Sequence, residues 1–102
     1  MTTHKAVKSF PLGQIVATKG VLASVPNPHM LECLARHTRG DWGNVCREDA
    51  ASNNRALVEG SRLLSAYAID PTKPAKGYGE NCLWIITECD RSVTTFLLPS
   101  EY

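Results

Sequence analysis

The sequence predicts an α+β fold, a two-layer domain with two to three helices packed on one face of a small antiparallel sheet that ends in a C-terminal three-strand meander. Three observations carry that expectation. Apolar residues recur at helical spacing up to Gly60, alternating and β-branched runs replace them afterwards, and 102 residues leave room for a single core. Residues 1–102 therefore read as one domain, with 1–9 as a flexible arm.

After that polar arm, Phe10-Pro11-Leu12-Gly13-Gln14-Ile15-Val16-Ala17-Thr18 opens on a turn signal and closes on a β-branched run. It reads either as a turn into a short strand or as a first helical turn. Thr18 can cap a short helix over Lys19 to Val25, ended by Pro26. Asn27-Pro28 marks the next helix start, since Asn caps free N–H groups and Pro tolerates the first turn. Met30, Leu31, Leu34 and Ala35 then define an apolar face, and Gly40 ends the helix. A third helix is expected over Arg47 to Glu59. Glu48 and Asp49 suit its positive end, Ala50, Ala51, Asn54, Leu57 and Val58 form a weak stripe, and Gly60 stops it.

Beyond Gly60, Leu63, Ser65, Tyr67 and Ile69 alternate with Leu64, Ala66 and Ala68. The stretch from Asp70 to Asn81 is loop-like. Two dense β-former runs follow, Cys82 to Glu88 and Val93 to Leu98, joined by Cys89-Asp90-Arg91-Ser92, which is short enough for a tight hairpin. Trp84, central in an apolar strand, is expected in the core.

Composition excludes several classes. With 43% hydrophobic and 21% charged residues the chain has enough apolar material to fold, and a net charge of +1 supplies no global field for a polyanion. No apolar run reaches the roughly 18 residues of a membrane span, and MTTHKAVKSF lacks a signal-length apolar stretch, so a cytoplasmic protein without a membrane partner is expected. Cys33, Cys46, Cys82 and Cys89 show no C-x-x-C spacing and read as reduced thiols, Cys33 and Cys82 as small core residues. No metal cluster, nucleotide loop or nucleophile elbow occurs in the sequence, and no cofactor is expected.

Several stretches carry a resemblance. Phe10 to Thr18, Gly40-Asp41-Trp42-Gly43, Arg62-Leu63-Leu64-Ser65-Ala66-Tyr67, and Trp84 to Thr95 with the closing Leu97-Leu98-Pro99-Ser100-Glu101-Tyr102 resemble the plasmid-related proteins, small bacterial proteins of plasmids and integrative elements. The resemblance spans nearly the whole chain, although the Asp70 to Asn81 loop looks longer here. It implies an accessory role in a mobile element and no known activity. A weaker similarity of pattern runs to the barnase-like and RelE-like ribonuclease fold, echoed by Arg62-Leu63-Leu64, Leu83-Trp84-Ile85, Asp90-Arg91 and Thr94-Thr95-Phe96.

That second similarity implies a catalytic set, because RNA cleavage needs a base, an acid and cations for the developing phosphate charge. The barnase-like pattern has a histidine in the last hairpin, where Arg91 stands here. His4, His29 and His37 all precede Arg39, and His37 reads as a favourable charge at a helix end. A histidine-free set would use Arg62 and Arg91 on phosphate, Glu88 or Asp90 as base, and Thr94 or Thr95 for positioning. The plainer reading is a hairpin turn beside a solvated cation, with the threonines present for strand propensity.

Candidate binding residues are Asp90 and Arg91 on the hairpin, Lys73, Lys76 and Tyr78 on the long loop, and Trp42, which is either an exposed recognition residue or a core plug. The terminal Tyr102 is expected to dock on the protein or on a partner subunit. The reading as a whole is a mobile-element accessory protein, not an enzyme, that binds a host or defence-system macromolecule, for instance as an inhibitor of a defence nuclease. A protein partner leads, nucleic acid is a second option, and an edge strand offers a homodimer surface. The alternatives are a toxin-like ribonuclease and a small nucleic-acid-binding regulator.

Overall fold

The computed structural model describes residues 10–102, so the arm expected over 1–9 lies outside the described residues. The elements run β1 (Gln14–Ala17), α1 (Lys19–Ser24), α2 (Asn27–Thr38), α3 (Arg47–Glu59), β2 (Leu63–Tyr67), β3 (Leu83–Thr87), β4 (Val93–Leu97) and a closing 3-10 turn (Pro99–Glu101). The α+β class and the C-terminal meander stand as expected. The sheet itself is mixed: its order is β1-β4-β3-β2, and β1 lies parallel to β4 while the other pairs are antiparallel. Local periodicity could suggest the strand at Gln14, but its partner is brought in by the far end of the chain.

Thr18 caps α1, its hydroxyl accepting from the Val21 N–H at 3.3 Å. For α2 the cap position falls on Pro26, so Asn27 is already helical and makes no side-chain cap. α3 has the bounds its acidic first turn and Gly60 indicate, Gly60 taking a left-handed φ of 82°.

Pairing register assigns the two sheet faces. Leu63, Ser65 and Tyr67 on β2, Leu83, Ile85 and Thr87 on β3, and Thr94 and Phe96 on β4 share one face. Val21 and Val25 of the α1 segment pack there with Met30 and Cys33 of α2, and Ala56 of α3 joins Leu63 and Trp42 in a second cluster. The helix stripes differ from the sequence reading. Leu31 and Val58 are exposed, Ala51 and Asn54 are on the surface, and the buried positions are Met30, Cys33 and His37 on α2 and Asn53 and Ala56 on α3. Polar side chains at 37 and 53 hid these faces, because a buried polar residue subtracts from an apolar pattern.

The sheet's two edges are built differently. On β2 the outward-facing residues are Leu64 and Ala66. Asn53 donates to the Leu64 carbonyl at 2.7 Å and accepts from its N–H at 3.2 Å, so one side-chain amide stands in for a neighbouring strand. Ala66 donates to the Trp42 carbonyl and accepts from the Asn44 N–H. This close approach requires Gly43, whose φ is +75° and where a Cβ would lie 2.0 Å from the Ala66 oxygen. On β1, the Gln14 and Thr18 N–H groups bond to Ser92 and Phe96 of the β4 side. Strand alternation then turns the Ile15 and Ala17 backbone outward, and no described residue bonds to it.

Candidate functional site

The polar group expected on the last hairpin is dispersed into structural work. Asp90 accepts from the Ser92 N–H at 3.0 Å and hydroxyl at 2.6 Å, and these bonds hold its carboxyl below the usual range, which makes it a poor proton acceptor. Arg91 takes a left-handed φ of 60° and turns its guanidinium back onto the carbonyls of Ser61, Glu88 and Ala56. It thereby closes the hairpin and the C-terminal end of α3, where free carbonyls attract a cation. Its donors are directed at backbone, which removes it from the phosphate-binding role of the ribonuclease reading. Thr94 is fully buried, while Thr95 sits on the opposite face.

Thr94 belongs to a hydrogen-bonded row that crosses the sheet under α2. His37 Nδ1 lies 2.5 Å from Ser65 Oγ, His37 Nε2 lies 2.9 Å from Thr87 Oγ1, Thr87 and Thr94 hydroxyls meet at 2.8 Å, and Thr94 bonds the Leu12 carbonyl at 2.7 Å. Proton positions follow from the far end. A carbonyl only accepts, so Thr94 donates to Leu12, and its oxygen accepts from Thr87. Thr87 has then used its proton and accepts from Nε2–H, leaving Nδ1 to accept from Ser65. A neutral imidazole protonated at Nε2 thus satisfies every hydroxyl of the row.

Burial, aided by the Arg91 cation, pushes His37 down to about 4. His37 is therefore a neutral core residue and not the helix-end charge its position suggested. Although serine, histidine and threonine sit together here as in a catalytic set, all four side chains of the row are fully buried.

A second pairing invites a nucleophile reading and fails on proton direction. Cys33 Sγ lies 3.6 Å from His29 Nε2, but that nitrogen lies 2.7 Å from the Ala68 carbonyl and must donate there. It is then no base for the thiol, and burial pushes Cys33 up to about 11. Among the described residues no three His, Cys, Asp or Glu side chains gather as a metal site would require, and no helix is long and apolar enough to cross a membrane.

The unspent chemistry lies on the opposite sheet face. Trp84 is only half-buried, a correction to its expected core position. Its indole donates to the Gly77 carbonyl of the long loop at 2.8 Å, and its ring meets Tyr102 edge-on at 5.7 Å. Arg62 donates to the Tyr102 hydroxyl at 2.7 Å and lies against its ring. On the other side Lys76 sits 5.9 Å from the Tyr78 ring, and Lys73 pairs with Asp70 at 4.0 Å. Two adjoining hollows, of about 230 and 280 Å³, share Asp49, Leu64 and Trp84 as lining. Tyr78 and Tyr102 remain 62% and 70% exposed, which is high for aromatics that already touch neighbours.

The sequence singled out Lys73, Lys76, Tyr78 and Arg62 and placed Tyr102 as a docking residue. It gave no sign that the tail and the long loop converge on Trp84. Trp42, in contrast, is the core plug and not a recognition residue: it is 5% exposed, its indole donates to Asn54 Oδ1, and it packs by Phe10 and His37.

No family model matches the chain, and neither a curated protein nor a solved structure matches it.

Proposed function

We propose that this protein is a non-catalytic accessory factor of a mobile element that binds a host or defence-system protein through the face formed by Arg62, Lys76, Tyr78, Trp84 and Tyr102. The observation that carries the reading is the exposure of two tyrosines, each beside a cation, on either side of Trp84, which with Leu64 lines both adjoining hollows. Tyrosine, tryptophan and arginine are the residues that dominate binding energy at protein interfaces. The mobile-element setting comes from the resemblance to plasmid-related proteins, and inhibition of a defence nuclease is one form the activity would take. Against a ribonuclease stands the commitment of Arg91 and Thr94 to the backbone and the core.

The test is capture from a bacterial host lysate with the purified full chain and with a Tyr78→Ala/Tyr102→Ala variant. A partner retained by the wild type should be weakened about 10-fold or more by the variant, because truncation of an anchor costs roughly 1–2 kcal/mol. Equal capture by both would remove this face from the reading. RNA degradation by the pure protein would restore the ribonuclease, and a salt-sensitive shift of labelled DNA or RNA would favour the regulator.

A further inference from the structure

We infer that the open edge of β1 pairs with the β1 of a second copy of this chain, giving a two-fold dimer with a continuous eight-stranded sheet. The inference uses a surface separate from the aromatic face and stands without it. Only Ile15 and Ala17 turn their backbone outward, and they flank Val16. An antiparallel pair centred on Val16 sets Ile15 opposite Ala17 of the other copy, and the reverse, so two N–H and two C=O groups per chain are all satisfied by the same four groups of the partner. The opposite edge shows what this chain does where pairing is unwanted: both outward residues of β2 are blocked by Asn53 and by the Trp42 to Asn44 backbone. β1 is short, at four residues, but Gln14 to Ala17 holds no charge, proline or bulge to turn a second strand away.

Side chains and charge fit a copy of the same surface. Ile15 is 48% and Val16 37% exposed, on opposite faces of the strand. Beside β1 an apolar cleft of about 310 Å³ runs to α2, with Leu31 exposed among its lining residues. Every lining residue is uncharged, so two identical surfaces meet without like-charge repulsion. On the two-fold axis Val16 faces its own copy, a β-branched pair of the kind that stabilises sheets.

Sedimentation equilibrium of the full chain at rising concentration tests this, together with a Val16→Lys variant that would set two ammonium groups on the axis. The wild type is expected to be dimeric, with a melting temperature that rises with concentration, and the variant monomeric with an unchanged circular dichroism spectrum and a melting temperature independent of concentration. A wild type still monomeric at about 1 mM, where only an interface worth less than ~4 kcal/mol would escape notice, overturns the inference. A dimer that Val16→Lys leaves intact does so too. Should the variant fail to fold, hydrogen exchange of the wild type decides: slow exchange at the Ile15 and Ala17 amides that becomes fast on dilution supports the dimer, and exchange independent of concentration overturns it.

Discussion

The two edges of the sheet are made of similar apolar strands yet finish in opposite ways. Both outward residues of β2 have their backbone groups bonded, two of the four by one asparagine and two by a loop that only a glycine allows so close. Among the described residues, nothing bonds the equivalent groups of β1. Aggregation through edges is the hazard every open sheet carries, and a chain that blocks one edge with two separate devices has the means to block the other. The difference teaches that an open edge is informative chiefly when the same molecule shows how it closes one.

The strongest way to break the contrast is to uncover β2. Gly43→Val places a branched side chain at a φ of +75° and against the Ala66 oxygen, so the loop must lift. A loss of at least ~3 kcal/mol in urea unfolding is expected, with faster exchange at the Ala66 amide. Unchanged stability would mean that the loop does not seal the edge.

Acid should act on what joins the edges, since the Ser65, His37, Thr87, Thr94 row runs from β2 to the Leu12 carbonyl that leads into β1. An unfolded histidine titrates near 6.5, whereas folded His37 does so at about 4. Between those values the unfolded chain takes up a proton that the folded one refuses. Stability is thus complete above about pH 6.5 and falls as the pH drops towards 4, by on the order of 3 kcal/mol. Urea unfolding at several pH values would show this decline, and His37→Gln should flatten it. A variant as acid-sensitive as the wild type would assign the effect to other groups.

A smaller effect is expected from Asn53→Ala, which strips the Leu64 N–H and C=O of their partner in a half-buried position. The cost should be about 2 kcal/mol, measured by thermal unfolding. A shift of under a degree would show that water replaces the amide without penalty.

Much of the architecture was legible because its signals are local. The bounds of α3 follow from Glu48, Asp49 and Gly60, and the last hairpin from the polar tetrad between two β-former runs. The parallel pairing of β1 was not legible, because Gln14 meets Val93 only in three dimensions. His37 and Asn53 misled for a related reason. Each is polar at a buried position, and its partners arrive from the sheet, Ser65 of β2 and Thr87 of β3 for His37 and Leu64 of β2 for Asn53. At the candidate site the loop residues were visible as cations interleaved with an aromatic, whereas the gathering of Arg62 and Tyr102 on Trp84 depends on where a tail folds.

That tail has a consequence for how the chain reaches its structure. Glu101 accepts from the Thr18 hydroxyl and the N–H groups of Gly20 and Leu98, while β1 is held to the sheet solely by β4 among the described strands. During synthesis β1 emerges early and has no strand to join until Val93 to Leu97 has been made. The first strand of the domain is thus among the last to be placed, and a chain cut short before residue 93 lacks the one described strand that holds β1.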